Sequence, residues 1–236
     1  MEMITMIKKI MTQMLLINLF VSFSYAEDYS SFKNGLTTVS VVNENLYLLG
    51  TFDDVTAQYV IKVLENNPQV QRIVLTANGG SINDQETLRL GRYIRSQRLD
   101  THLISGGVAA SGGVSLLLSG YNRSVGENVF VGVHAWASCS GKESQSTCRS
   151  ATEFERDDDA HDLHRDYIQE MLGEDGFYWH SIESASHDSI HWLSEQELKQ
   201  FNVINSEIET PLMMPFGSAF ESEYTQTCHN CPSGQD

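Results

Sequence analysis

Between Ile104 and Gly120 the chain reads ISGGVAASGGVSLLLSG, and the second half of that stretch constrains everything around it. A helix is predicted from Ala110 through Val114, Leu116, Leu117 and Leu118, stopping near Gly120. It has almost no polar face to offer water, so it must lie at the centre of the fold, covered all round. The neighbouring sequence supplies the cover. Residues 45–49 read as a short apolar strand. Asp53 or Asp54 then caps a helix whose Ala57, Val60, Ile61 and Leu64 keep an i, i+3, i+4, i+7 face, ending at Asn66-Asn67-Pro68. The β-branched run RIVLT over 72–76 is a buried strand, followed by Asn78-Gly79-Gly80 and a helix over 83–97 with Leu90, Gly91 and Ile94 inward. A third strand over 102–105 enters Gly106-Gly107, and NVFVGV over 128–133 is a fourth. Repeated β-α-β units with short connections predict an α/β fold with a mainly parallel sheet.

Charge narrows the partners. The chain has 236 residues, with 15 Lys plus Arg against 31 Asp plus Glu, a formal net charge of −16. Nucleic-acid binding needs clustered cations to displace counterions from phosphate, and anionic lipid surfaces demand the same, so neither is an expected partner.

The first 26 residues read as a leader outside the fold. Lys8 and Lys9 precede an apolar run from Met14 to Phe23, and Ser24-Tyr25-Ala26 offers small residues at the −3 and −1 positions of a secretory cleavage site. The apolar core is about half the ~20 residues of a membrane span, so no membrane association is expected after cleavage. The resulting plan is a leader over 1–26, an extension over 27–44, a domain over 45–210 and a Cys-containing tail over 211–236. Export is periplasmic or secretory, and an oxidising compartment makes Cys139, Cys148, Cys228 and Cys231 disulfide candidates. Three pairings can be drawn. Cys139 with Cys148 would close a polar hairpin, leaving Cys228 and Cys231 to pair within the tail. Redox chemistry or zinc binding at the tail CxxC is the weaker reading, since the motif opens no helix and lacks a clear fourth ligand.

Three consecutive strands deliver chemical groups to one sheet edge, where open α/β folds bind ligands. The second strand ends at Gly79-Gly80, able to present N–H groups unobstructed. The third places the Ser111 hydroxyl at the start of the buried helix, and the fourth ends in His134. A serine attacks a carbonyl carbon only when a base removes its proton, and histidine is the usual base. The glycine-flanked helix N-terminus supplies donors for the oxyanion. A phosphate-cradling loop is disfavoured, because no Gly-Lys-Ser/Thr follows and the glycines do not make GxGxxG.

At these residues the chain resembles the ClpP/crotonase superfamily, specifically the proteolytic subunit of the Clp protease. The resemblance spans roughly 45–204 and is carried by LYLLG, IVLTANGGSI, ISGGVAASGGVSLLLSG, NVFVGVHAWA and HWLSEQELKQFNVI. It implies a spiral of β-α-β units and a Ser–His–Asp triad, with Ser111 as nucleophile, His134 as general base, and the amides of Gly80 and Gly112 as oxyanion hole. The family's acid lies just before the helix that LSEQEL resembles. Strict spacing lands on Ile190, which cannot serve, and a small insertion would put Asp188 in the role. AASGG is also similar to exported signal-peptide peptidases that pair Ser with Lys, for which Lys142 and Lys199 are the candidates. Two departures stand out: Ala77-Asn78-Gly79-Gly80 replaces the family's Ser-Pro-Gly-Gly, and 138–149 is an insert after His134.

The acidic stretch 153–170 holds eight carboxylates and two Arg, with Ala160, Leu163, Tyr167 and Met171 on one stripe, and reads as an amphipathic helix with a solvated face. Divalent-cation binding by Asp157, Asp158, Asp159, His161 and His164 is its weaker alternative. In the resemblance this helix makes ring-to-ring contacts, which implies a homo-oligomer. The expected function is an exported serine hydrolase, a peptidase cleaving small or unfolded peptide or protein substrates through an acyl-enzyme on Ser111. A non-catalytic interaction module is the alternative. No cofactor, no metal and no ATP-driven unfoldase are expected outside the cytoplasm, and acyl-coenzyme A chemistry is disfavoured there.

Overall fold

The computed structural model describes residues 30–31, 36–140, 147–207 and 212. The leader, Lys142 and the Cys228–Cys231 tail therefore lie outside the described residues.

The chain first forms β1 (Ser30–Ser31), β2 (Thr37–Val42) and β3 (Asn45–Gly50), all antiparallel neighbours. The β2–β3 turn is Asn43-Glu44, with Asn43 at φ 55°, a conformation Asn tolerates better than most side chains. The sheet thus takes in 37–42, which the sequence reading left in the extension. The β-α-β core follows as α1 (Thr56–Asn66), β4 (Arg72–Asn78), α2 (Asp84–Ser96) and β5 (Asp100–Ala110). Next come α3 (Gly112–Leu118), β6 (Arg123–Val125) and β7 (Phe130–Val133). Strands β3, β4, β5 and β7 run parallel in that order, and β6 pairs the first half of β5.

Side chains alternate across this sheet as the pleat requires. Leu46, Leu48, Ile73, Leu75 and Leu103 join the main core with the helices, while Tyr47, Leu49, Val74 and Ile104 form a thin second cluster behind it. Helix α3 is the covered central helix: all its residues except Ser115 are buried. Its start is two residues later than periodicity suggests, because β5 does not stop at Ser105. Register shifts from Leu75↔Leu103 to Ala77↔Val108, so β5 bulges over 104–107 and then resumes pairing to Ala110. Gly106 turns the bulge at φ 71°, and a Cβ on Gly107 would stand 2.9 Å from the Thr76 carbonyl oxygen.

After β7 come a separate hairpin, β8 (Ala137–Ser140) with β9 (Thr147–Ser150), then α4 (Asp162–Leu172) and α5 (Gly176–Ser184). The described chain closes with β10 (His191–Trp192), antiparallel to β7, and α6 (Glu195–Gln200). Cys139 and Cys148 face each other in the hairpin and are disulfide-bonded. The helix expected across 153–170 is shorter than predicted. Ser150 and Glu153 cap a 3-10 turn, Asp158 accepts from the Ala160 amide at 2.9 Å, and α-helix begins only at Asp162. Asp side chains in a run bond nearby amides and favour caps over helix interiors. The buried stripe is Tyr167, Ile168 and Met171, with Leu163 turned outward.

Candidate active site

The parallel strands bring three chain segments to one edge. Asn78 at the end of β4 sits opposite Ala109, and Ala110 opposite Gly132 of β7. The Ser111 amide donates to the Gly132 carbonyl at 3.0 Å, so the serine lies beside the strand that two residues later carries His134. Ser111, Gly112 and His134 line a common pocket.

Ser111 has φ 52° and ψ −118°, a region that side-chain-bearing residues seldom occupy. A strand running directly into a buried helix must turn sharply, and the strain falls on this residue, exposing its hydroxyl. Close backbone packing holds the turn. A Cβ on Gly113 would collide with the Asn78 carbonyl oxygen, and one on Gly112 would sit 2.7 Å from the Ser81 Cβ and Oγ. Gly80 adopts φ 145°, and a Cβ there would be 3.9 Å from the Ser111 Oγ. The glycine is thus a near neighbour of the serine.

The turn before Gly80, where the sequence resemblance expects a proline, carries Asn78 instead. Asn78 is fully buried; its Oδ1 accepts from the Thr76 amide at 3.0 Å and its Nδ2 donates to the Gly50 carbonyl at 3.2 Å. Side-chain bonds fix what a ring would otherwise fix.

His134 is half-buried, and its Nδ1 donates to the Ala135 carbonyl at 2.8 Å. That bond leaves Nε2 as the ring's acceptor. Among the described residues no carboxylate bonds this imidazole. Asp188, placed in that role from the sequence, lies outside the pocket. It is exposed, and its Oδ1 accepts from the Ser186 hydroxyl at 2.5 Å, which holds the carboxyl below its usual range. Ile190, at the strict family spacing, is exposed as well. Lys199 is an exposed residue of α6 bonded to Glu195 at 2.5 Å, outside the pocket.

The carboxylate in the pocket is Asp84, at the start of α2. It accepts from the Ser81 hydroxyl, and His164 Nε2 approaches its other oxygen at 3.4 Å. Burial works against its ionisation, but the bonds from His164 and Ser81 and the charges of His164 and His134 outweigh it and lower its pKa. Sequence reasoning missed Asp84, and it named His164 only as a cation-ligand candidate rather than as a partner in this pocket. The available signal was Ser81-Ile-Asn-Asp84, a hydroxyl three residues before a carboxylate at a helix start, too common a pattern to stand out. Asp84, His134 and His164 share the pocket, but among the described residues their ligand atoms do not converge as the three protein ligands of a zinc site must, and His161 is buried and bonded at 2.6 Å to Tyr178. Val114, Leu118, Ile168, Phe177 and Ile182 give the wall an apolar side, and Ser115, Tyr178 and Ser181 add hydroxyls to it.

No protein-family model matches this sequence. A search of curated proteins finds no match either. Solved structures give distant likenesses. An enoyl-CoA hydratase from Shewanella pealeana ATCC 700345 is 12% identical with a TM-score of 0.45, over 75% of this chain and 69% of that one. The 1510-N membrane-bound stomatin-specific protease, as a lysine-to-alanine mutant in complex with a substrate peptide, is 15% identical with a TM-score of 0.45, over 71% and 76%. A serine-to-alanine mutant of the same protease is 12% identical with a TM-score of 0.47, over 72% and 82%. The chemistry of the pocket rests on its own geometry.

Proposed function

We propose that this chain is a serine hydrolase of the peptidase type, with Ser111 forming an acyl-enzyme. The observation that carries this reading is the strained turn at Ser111 at the start of a buried helix, with Gly80 beside it and His134 in the same pocket. The Ser111 Oγ adds to the scissile carbonyl carbon while His134 Nε2 takes its proton. The oxyanion receives the Gly80 and Gly112 amides. The imidazolium then protonates the leaving amine, and water releases the acid by the same route. The Ala135 carbonyl does the orienting work that a carboxylate does in a full triad, and Asp84 places a carboxylate in the same pocket. The apolar side of the wall fits a hydrophobic side chain beside the cleaved bond. An exported enzyme working without an ATP-driven unfoldase would take small or unfolded peptides.

The test is a serine-directed fluorophosphonate on the purified chain, with the modified peptide located by mass spectrometry. The reading expects an adduct on Ser111, lost in Ser111→Ala and strongly slowed in His134→Ala. The bond from His134 Nδ1 to the Ala135 carbonyl, where a full triad has a carboxylate, favours a second reading, a peptide-binding module without turnover. Folded protein that never labels and hydrolyses no peptide or ester library, yet binds peptide saturably, would establish it.

A further inference from the structure

The edge of the sheet beyond β7 gathers a second set of chemical groups, unrelated to the nucleophile. His180 on α5, His191 on β10 and Glu197 on α6 come from three elements and converge. His180 Nε2 is 3.0 Å and His191 Nε2 2.8 Å from the same oxygen, Glu197 Oε1, and the three donor atoms lie within 4.8 Å of one another. We propose that His180, His191 and Glu197 form a binding site for a divalent transition metal of the zinc class, which ties α5 and α6 to β10.

Several features favour an ion over a plain hydrogen-bonded cluster. Two imidazoles and one carboxylate are a donor set suited to Zn²⁺, with a fourth position left for water. A tetrahedron with bonds of ~2.0–2.1 Å has donor-to-donor edges of roughly 3.3 Å, so the two observed nitrogen–oxygen edges need shifts of a few tenths of an ångström, and the two imidazole nitrogens, within 4.8 Å, complete the third edge. The carboxylate is already oriented for one-oxygen ligation. Glu197 Oε2 accepts from the Ser194 amide at 2.7 Å and hydroxyl at 2.6 Å, which turns Oε1 toward both imidazoles. His180 stacks on Phe201 with ring centroids 4.5 Å apart, fixing its plane. The side chains keep 24%, 34% and 20% of their surface, enough for an ion to enter.

The consequence reaches the pocket. Phe177, Tyr178, Ser181 and Ile182 of α5 line it, and β10 pairs with β7, where Trp192 lies opposite Gly132, the residue that accepts from the Ser111 amide. Zinc would hold that wall against that strand.

The experiment is calorimetric titration of EDTA-stripped, purified full-length chain with Zn²⁺ alone, alongside elemental analysis after gel filtration and thermal unfolding with and without the metal. The site predicts one saturable equivalent that is absent in His191→Ala. Affinity should fall more than ~10-fold in Glu197→Gln, which keeps the cap because glutamine also serves that position. Zinc should raise the unfolding midpoint of the wild type and of neither variant. Wild-type stoichiometry and affinity in His191→Ala would place the ion elsewhere, the Cys228-His229-Cys231 tail included, and overturn the proposal. So would no binding by the wild type. Should a variant fail to fold, Co²⁺-loaded wild type decides: two paramagnetically shifted imidazoles and tetrahedral ligand-field bands support the site, and their absence refutes it.

Discussion

Replacing Ser111 by glycine should make the protein more stable and inactive at once. The serine holds φ 52° and ψ −118°. Sparsely populated backbone conformations of this kind cost on the order of 1–3 kcal/mol, and glycine adopts them at little cost. Against that stands the extra freedom glycine gives the unfolded chain, about 0.4–1 kcal/mol. The hydroxyl has no hydrogen-bond partner among the described residues, so its removal adds little. The balance is a stabilisation of roughly 0.5–2 kcal/mol, which in a domain of this size raises the unfolding midpoint by roughly 2–6 °C. Ser111→Ala is the matched control, keeping the Cβ and with it the strain, so its midpoint should stay near that of the wild type. Both variants should lose fluorophosphonate labelling completely. Differential scanning calorimetry of the three proteins reads the stability. If Ser111→Gly melts at or below Ser111→Ala, the turn stores no strain there and the argument from backbone conformation to an exposed nucleophile fails.

Asp84→Asn should lower kcat/KM by roughly 10-fold or more, because a carboxylate sharing the pocket with His134 is lost. Asp188→Asn should leave kcat/KM near wild type, and the reverse ranking in a peptide-hydrolysis assay would restore Asp188 to the mechanism. Gly91→Ala would drive a Cβ into the Tyr167 hydroxyl, itself pinned to the Ser115 carbonyl at 2.7 Å, so it should cost about 1–3 kcal/mol by urea unfolding. Adding Tyr167→Phe should recover part of that loss, and no recovery would mean that the crowding lies elsewhere. His102 is buried against the Ser124 hydroxyl at 2.9 Å; burial, then the charge of Arg72, push its pKa down to about 4. The unfolded chain protonates this residue below ~6.5, so its contribution is complete above that pH and falls away toward pH 4 by up to ~3 kcal/mol. In His102→Gln that part of the pH slope should vanish from the unfolding free energy.

The elements that read correctly were those whose pattern has one physical solution. An apolar helix without a wet face has to be central, and RIVLT has to be a buried strand. Ser111 and His134 were legible because neighbouring parallel strands deliver their ends to one edge. The misreadings have local causes. The Gly106-Gly107 pair looks like a strand end, but here it makes a bulge that lets β5 continue. The Thr37–Val42 strand was passed over although its alternating TVSVV runs into a two-residue Asn43-Glu44 turn, an ordinary hairpin signal. Asp188 followed from counting back from a helix, and counting cannot see that its carboxylate is taken up by Ser186 on an exposed turn. Asp84 is tied into the pocket by His164, a partner far along the chain, and such a contact leaves no spacing to read.

The two-residue strands at either end of the sheet bear on how copies of this chain behave when crowded. Among the described residues, β1 and β10 are the outermost strands, each paired on its inner side over two positions. A long free edge is a row of unsatisfied amides and carbonyls on which another molecule can template, and short edge strands leave little of it. Fibrillar stacking is thereby discouraged at the two margins of this sheet, and copies that associate are expected to meet through other surfaces. Self-association should then respond to substitutions on the exposed helices and be indifferent to backbone changes along the rim.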